Sequence, residues 1–340
     1  MKFHARFFQI APGLLGAFLL ALGGCERKDQ AGDWAAQSPP PPQLLEAPAA
    51  VVKRDGPSVA VVVPIKGSTV RFVVYIVRNW LTTERYVDGQ LQPGRPKPEK
   101  ERLALSRVLA REKPDILGVS EVGTEEDVKD LQAYLERAGH AMPHFHLNRG
   151  VDPTRSLAIL SRFPIGRTIA RENLTYRSHG REHGMQRGIL DATIPTPAGD
   201  YRFLGVHLKS KLDTETGDQD DMRLQEAHLL RREIDAILRD DPQARLVVYG
   251  DFNDTRNSPA IRAARGPGNS PRSLEMIGFK DSKGESWTHH WETEDVYSRI
   301  DYVMISDALR KSVDWGRCKI VDADDLDGAS DHRPLLVILK

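Results

Sequence analysis

The chain has 340 residues, 40% hydrophobic and 28% charged, which suffices for one large core or two modest ones and excludes a disordered, collagen-like or fibrous protein. Its 48 Lys and Arg balance 48 Asp and Glu, so no net field marks a protein that coats nucleic acid in bulk. Two cysteines, Cys25 and Cys318, cannot make a disulfide scaffold.

Residues 1–24 carry Lys2 and Arg6, no acid, and an apolar run from Leu14 to Ala21. That run is too short and too glycine-rich for a stable span, so it reads as an export signal. Leu22-Gly23-Gly24-Cys25 resembles a bacterial lipobox, which implies cleavage before a diacylated Cys25. The alternatives are an ordinary signal peptide with an incidental cysteine, or a short anchor. Each buried methylene of a lipid contributes roughly 0.8 kcal/mol, so a lipidated Cys25 holds the protein on a membrane. The location expected is the cell envelope, as a lipoprotein on the periplasmic side of the outer or inner membrane, or the periplasm itself. Without its leader the chain is slightly acidic.

Residues 25–66 read as a tether, with six prolines between 26 and 57 and no helical or strand period. From residue 67 to 340 short apolar runs alternate with amphipathic segments. Strands are expected at Arg71–Val77, Ile116–Val119, Leu157–Leu160, Tyr201–Val206, Leu246–Tyr249, Ile300–Ile305 and Leu335–Leu339. Helices are expected around Leu105, Val108 and Leu109, ended by Pro114, and after Thr124, which caps Glu125, Glu126 and Asp127 ahead of Val128, Leu131 and Leu135. Leu230, Ile234, Ile237 and Leu238 make the face of a third helix. The interleaving predicts one α/β domain.

Chemistry collects where the apolar runs stop. Ile116–Val119 leads into Ser120 and Glu121, Tyr201–Val206 into His207, and Leu246–Tyr249 into Gly250, Asp251, Phe252, Asn253 and Asp254. Polar groups at several strand ends can converge on one site, although each alone can be turn chemistry. Asp301 stands inside an apolar strand, where a carboxylate needs a partner, and His332 can supply it. An Asp–His pair fixes the tautomer and raises the basicity of the imidazole.

Glu121, Leu160-Ser161-Arg162-Phe163-Pro164, His207 within Gly205–Ser210, Gly250–Asn253, Arg299-Ile300-Asp301-Tyr302 and Ser330-Asp331-His332, in this order, resemble the endonuclease/exonuclease/phosphatase superfamily. Each motif is weak and the ordered set is specific. The resemblance covers roughly residues 68–340 and implies a four-layer α/β/β/α sandwich, two mixed sheets face to face with helices outside. It further implies cleavage of a phosphate ester with Mg²⁺ or Mn²⁺. Carried over, Glu121 is the principal metal ligand and Asp331 completes or supports the metal site. His332, oriented by Asp301, activates water or stabilises the phosphoryl group; Asp251 positions the water, and Asn253 donates to a phosphate oxygen. His207 protonates the leaving oxygen or binds phosphate, and Arg162 and Arg187 are candidates for substrate binding.

Members of that superfamily usually have Asn directly after the tyrosine of the first strand. This chain has Ile76 after Tyr75, so either Asn79, the next asparagine, reaches metal or phosphate from the following turn, or the metal is held by fewer protein groups and more water, or activity is weakened or lost. A working enzyme is the favoured reading, because the other site positions are intact. Arg171 to Arg187 holds four arginines and two histidines, read as either a phosphate-facing loop or a solvated one. His289 and His290, between Trp287 and Trp291, read either as lining a cleft or stacking a base or, the favoured reading, as aromatic loop packing, without ligand spacing, and Cys318 as a single thiol. The expected activity is that of a phosphodiesterase or nuclease acting on DNA, RNA or a phospholipid headgroup, without an obligatory protein partner. The alternatives are a phospholipid or inositol-phosphate phosphatase, or a non-catalytic binding lipoprotein that keeps the fold.

Overall fold

The computed structural model describes residues 65–212, 217–322 and 328–340. The leader at 1–24, Cys25 and the tether as far as residue 64 lie outside the described residues. Strands follow in chain order as β1 (Val70–Trp80), β2 (Thr83–Val87), β3 (Gln90–Arg95), β4 (Ile116–Val122), β5 (His144–Asn148) and β6 (Ser156–Ser161). Then come β7 (Arg167–Ile169), β8 (Thr175–Ser178), β9 (Arg181–Gly184), β10 (Leu190–Thr196), β11 (Gly199–His207) and β12 (Leu246–Asp251). The last are β13 (Glu275–Met276), β14 (His289–Trp291), β15 (Val296–Ser298), β16 (Asp301–Ile305), β17 (Lys319–Ile320) and β18 (Leu335–Leu339). The helices are α1 (Glu99–Glu112), α2 (Glu125–Arg137), α3 (Gln219–Asp240) and α4 (Pro259–Arg265). Among the described residues no helix is long and apolar enough to cross a membrane.

Two six-stranded mixed sheets carry the fold, ordered β17-β18-β1-β4-β6-β5 and β13-β16-β12-β11-β10-β7. Alternation along β1 explains the layering. Phe72 and Val74 join the core between the sheets, with Ile159, Leu190, Phe203, Tyr249 and Val337. Val73, Tyr75 and Val77 face the other way, into a core shared with Leu105 and Val108 of α1 and Val128 and Leu131 of α2. On the second sheet Leu204, Val206, Val248 and Met304 pack with Leu230 and Ile234 of α3 and Ile261 of α4. Burial on both faces is why these strands read as unbroken apolar runs. The four layers are those the sequence predicts.

Glycine sets the distance between sheets at one place. A Cβ on Gly118 of β4 would stand 2.2 Å from the Tyr249 ring, and one on Gly205 of β11 would stand 2.7 Å from its hydroxyl. The two glycines open the slot that the tyrosine fills.

Helix ends follow local chemistry. α1 stops at Lys113, which adopts a left-handed conformation (φ 47°) in front of Pro114. Asp127 accepts from the Thr124 backbone N–H at 2.8 Å, closing the first turn of α2. Leu230, Ile234, Ile237 and Leu238 are all buried on α3. The segment Arg171 to Arg187 departs from its expectation as a loop, since it contains the hairpin β8-β9, with Tyr176 and Met185 buried in the core beneath α3. Two further hairpins, β2-β3 and β14-β15, also stand apart from the main sheets.

Candidate active site

Parallel pairing within each sheet delivers chain ends to one rim. β11 and β12 run parallel and end side by side on His207 and Asp251. β16 returns antiparallel to β12 and starts at Asp301, opposite Asp251. In the other sheet β4 runs parallel to β1 and carries Glu121 near its end. β18 is antiparallel to β1, so the residues before it, Ser330 to Arg333, lie along the end of β1. The Ser330 hydroxyl fastens them there by donating to the Ile76 carbonyl at 2.7 Å.

The backbone is bent at several of the functional side chains. Glu121 lies at a register shift of β4 against both neighbours and has φ 67°, a conformation unusual for glutamate. Arg78, Asn79 and Asn253 share the left-handed region, at φ 42°, 57° and 51°. Such strain persists where the surrounding structure over-determines it, and it gathers at functional sites. Gly250, at φ 134°, is required before Asp251, because a Cβ there would sit 1.9 Å from the Val206 carbonyl oxygen. Phe252 anchors the turn edge-on against Tyr302.

The centre of the constellation is His332. Its Nδ1–H donates to Asp301 Oδ2 at 2.8 Å, and its Nε2 stands 3.9 Å from Asp251 Oδ2. His207 Nε2 approaches the same Asp251 oxygen at 3.4 Å. The other Asp251 oxygen accepts from the Asn253 N–H at 2.7 Å, while the Asn253 amide donates to the Leu208 carbonyl at 2.9 Å. Thr288 Oγ1 accepts from the backbone N–H groups of Ile300 and Asp301, both at 3.1 Å, and so fixes the start of β16.

Burial and crowding then set the charges. Burial alone would lower the pKa of His332, but the Asp301 carboxylate, by charge and hydrogen bond, outweighs it and holds the imidazole protonated well above the usual histidine range. Burial, followed by repulsion from Asp301, raises Asp251 far above an ordinary carboxylate, with Glu121 adding to the rise. His207 is pushed well down, first by burial and then by the Arg187, His332 and Arg155 charges, so it stands as a neutral imidazole. A neutral His207 donates or accepts a hydrogen bond; it is not a standing acid.

The donor set suits a hard divalent cation. Glu121, Asp251 and Asp331 offer carboxylate oxygens, and a cation would offset the burial and the repulsion from Asp301 and Glu121 that raise Asp251. Asp301 Oδ1 is buried without a hydrogen-bond partner.

Other predicted residues separate into those the rim includes and those it does not. Asn79 reaches Glu121 through its backbone N–H, which donates to Oε2 at 3.1 Å, while its side-chain oxygen accepts from Arg155 Nε at 2.8 Å. It therefore braces Glu121 instead of offering its own amide to a metal. Arg162 is a correction. It lies at the other end of β6, where Ser161 pairs with Ile116, and is bound to Asp115 at 2.8 Å, remote from the strand ends that carry the site. Arg187 is buried, paired with Asp152 at 3.1 Å, and close enough to depress His207.

Sequence reasoning missed four residues. Arg155 joins Arg187 as a charge felt by His207. Arg78 Nε lies 4.0 Å from Asp331 Oδ2. His289, read above as loop packing, brings Nε2 within 4.0 Å of Asp331 Oδ2. Glu226 of α3, fully buried, accepts from the N–H groups of Gln186 (3.0 Å) and Lys209 (2.7 Å), tying the Arg187 segment to the residues after His207. Arg78 and Arg155 had one signal available, their places at the end of β1 and just before β6, and His289 had its aromatic setting between Trp287 and Trp291; Glu226 had none.

The sequence matches the endonuclease/exonuclease/phosphatase family over residues 87–332, which spans Glu121 through His332. The chain belongs to the endonuclease/exonuclease/phosphatase family. Its members are phosphoester hydrolases and usually use divalent metals; this chain is a phosphoester hydrolase. The match begins after β1, the strand in which Ile76 replaces the usual asparagine. No sequence match to a curated protein was found.

Solved structures share the fold at low identity. An endonuclease/exonuclease/phosphatase from Bacteroides vulgatus is 18% identical, with a TM-score of 0.56 over 80% of this chain and 99% of that one. The human Nocturnin catalytic domain with bound sulfate anion is 16% identical, with a TM-score of 0.54 over 80% and 94%. Sphingomyelinase C from Streptomyces griseocarneus is 14% identical, with a TM-score of 0.53 over 80% and 100%.

Proposed function

We propose that this endonuclease/exonuclease/phosphatase family member is a Mg²⁺- or Mn²⁺-dependent phosphodiesterase of the nuclease type. The observation that carries this reading is the Asp301–His332 pair at 2.8 Å, with Asp251, His207 and Asn253 gathered around it. The metal would be held by Glu121, with Asp331 completing the site. A bound divalent ion supplies neutralisation of the phosphoryl charge.

The remaining work falls to side chains. Asp251 takes the proton of the attacking water in its ionised form, which burial and Asp301 confine to pH above about 8 and which the charge of a bound cation would extend toward neutral pH. His332, kept as an imidazolium by Asp301, faces the phosphoryl oxygens and offsets charge as it builds. Asn253 and neutral His207 donate hydrogen bonds to the phosphate. Arg187 and Arg155 bind it from the His207 side. Positioning and electrostatics dominate such a reaction, since phosphorus needs in-line approach more than covalent help.

The zero formal charge argues against a long duplex footprint, so the substrate class favoured is a single phosphodiester presented singly, in a nucleic acid end or a phospholipid headgroup. Leu22–Cys25 supports a lipid tether on the periplasmic side of the envelope. Fractionation of cells carrying Cys25→Ala checks the tether: the protein moves from membrane to soluble fraction if the reading holds. Hydrolysis of bis(p-nitrophenyl) phosphate, plasmid DNA, RNA, sphingomyelin and inositol phosphates by the purified protein tests the function. Turnover that EDTA abolishes and Mg²⁺ or Mn²⁺ restores is the expected result; no turnover with any divalent ion sinks the reading.

A further inference from the structure

His289 reaches the rim from the hairpin β14-β15, which is joined to the Ser330–Arg333 segment by main-chain hydrogen bonds from His290 N to Asp331 O (2.9 Å) and from Arg333 N to Thr288 O (2.7 Å). This pairing places the His289 and His332 rings 4.6 Å apart. His289, Asp331 and His332 each offer one ligand atom to a group whose atoms all lie within 4.8 Å of one another. His289 Nε2 and Asp331 Oδ2 are 4.0 Å apart, wider than the roughly 3.4 Å between two ligands of a tetrahedral ion, so the two side chains close by about half an ångström when one ion binds both.

The second observation concerns the other ring nitrogens. His332 Nδ1 is held by Asp301 at 2.8 Å, and His289 Nδ1 lies 3.4 Å from Ser298 Oγ. Metal-binding histidines commonly have the far nitrogen engaged in this way, which fixes the tautomer and turns the near nitrogen toward the ion. Two imidazoles and one carboxylate suit a borderline ion such as Zn²⁺, which would displace the Arg78 guanidinium, 4.0 Å from Asp331 Oδ2, as that oxygen's cationic neighbour. They do not suit Mg²⁺, which demands oxygen ligands in an octahedron.

We propose that His289, Asp331 and His332 form a site for a Zn²⁺-class cation whose binding withdraws His332 from catalysis and inhibits the enzyme. The inhibition rests on the catalytic reading of His332; the site itself does not. On binding, the ion takes the Nε2 lone pair of each imidazole, and the proton His332 carried leaves to solvent.

The test uses the purified protein in millimolar Mg²⁺, with Co²⁺ as a spectroscopic stand-in for Zn²⁺. The protein should bind one Co²⁺ with the visible absorption of a four-coordinate N/O site, displaced by Zn²⁺ and not by Mg²⁺. His289→Ala should weaken Co²⁺ binding by at least about tenfold and raise the half-inhibiting Zn²⁺ concentration by the same factor. The half-inhibiting Zn²⁺ concentration is read against each variant's own turnover without Zn²⁺. Ser298→Ala, which keeps the imidazole and removes its Nδ1 partner, should weaken binding by a smaller factor and decides the matter if His289→Ala fails to fold. Unchanged Co²⁺ affinity in both variants, or displacement of Co²⁺ by Mg²⁺, overturns the site. A Zn²⁺ inhibition that does not move with His289 overturns the inhibition. A protein that hydrolyses no phosphate ester removes the catalytic reading and the inhibition together, while the Co²⁺ spectrum still decides the site.

Discussion

Asp301 and His332 show how a single pair sets the chemistry of the rim. Burial acts against a charged imidazole, and the adjacent carboxylate reverses that effect. Asp301→Asn removes the opposing charge, so His332 becomes neutral at lower pH. If the imidazolium is the working form, the alkaline limb of kcat/KM moves to lower pH, toward or below the ordinary imidazole value of 6.5. A pH profile from about pH 5 to about pH 10 reads this directly, and an unmoved limb contradicts the assigned role. The pair was open to sequence reasoning because a carboxylate inside an apolar strand demands a partner. Ile76 was equally visible, as a buried apolar residue where a ligand usually stands. Ile76→Asn should lower the Mg²⁺ concentration for half-activation severalfold in a metal titration, and an unchanged midpoint places the ion elsewhere. Arg162 misled because its motif sits at one end of β6 and the site at the other, a distinction that depends on strand direction. His289 was hidden because only the pairing of its hairpin with Ser330–Arg333 brings it to Asp331.

At the scale of elements, the seven apolar runs and three helical faces read from the sequence are the walls of the two sheets and their covers. They were legible because burial on both faces writes continuous hydrophobicity into a strand. The hairpins β2-β3, β8-β9 and β14-β15 were not, since they are polar and their pairing follows no apolar alternation. Helix α3 has a function beyond packing, through Glu226. Its carboxyl is pushed up to about 7 by burial, despite the two N–H groups it accepts from and the nearby Arg187 and Lys209 charges. Between its ordinary 4.5 and about 7, the native protein keeps a proton that the unfolded chain has released. Stability from this group is therefore fully present below the ordinary value and is lost as pH rises through that window, by about 1.4 kcal/mol per pH unit. Glu226→Gln should flatten that slope in urea denaturation midpoints taken across the window. A slope equal to that of the wild type means Glu226 is ionised in the native state.

For the whole molecule, the balance of 48 basic and 48 acidic residues conceals a strong local division. Asp251, Asp301, Asp331 and Glu121 crowd one rim, and Arg78, Arg155 and Arg187 surround them. A core that covers both faces of two sheets is what makes this crowding tolerable, because it supplies the bulges, the left-handed turns and the close strand approach at Gly250 that aim the groups. The central claim is that this rim hydrolyses a phosphodiester through His332, and the most direct measurement compares kcat for bis(p-nitrophenyl) phosphate in wild-type protein and His332→Ala at saturating Mg²⁺ or Mn²⁺. The account predicts a loss of roughly 10²- to 10⁴-fold in the variant with the fold unchanged by circular dichroism. A variant as active as the wild type would contradict it.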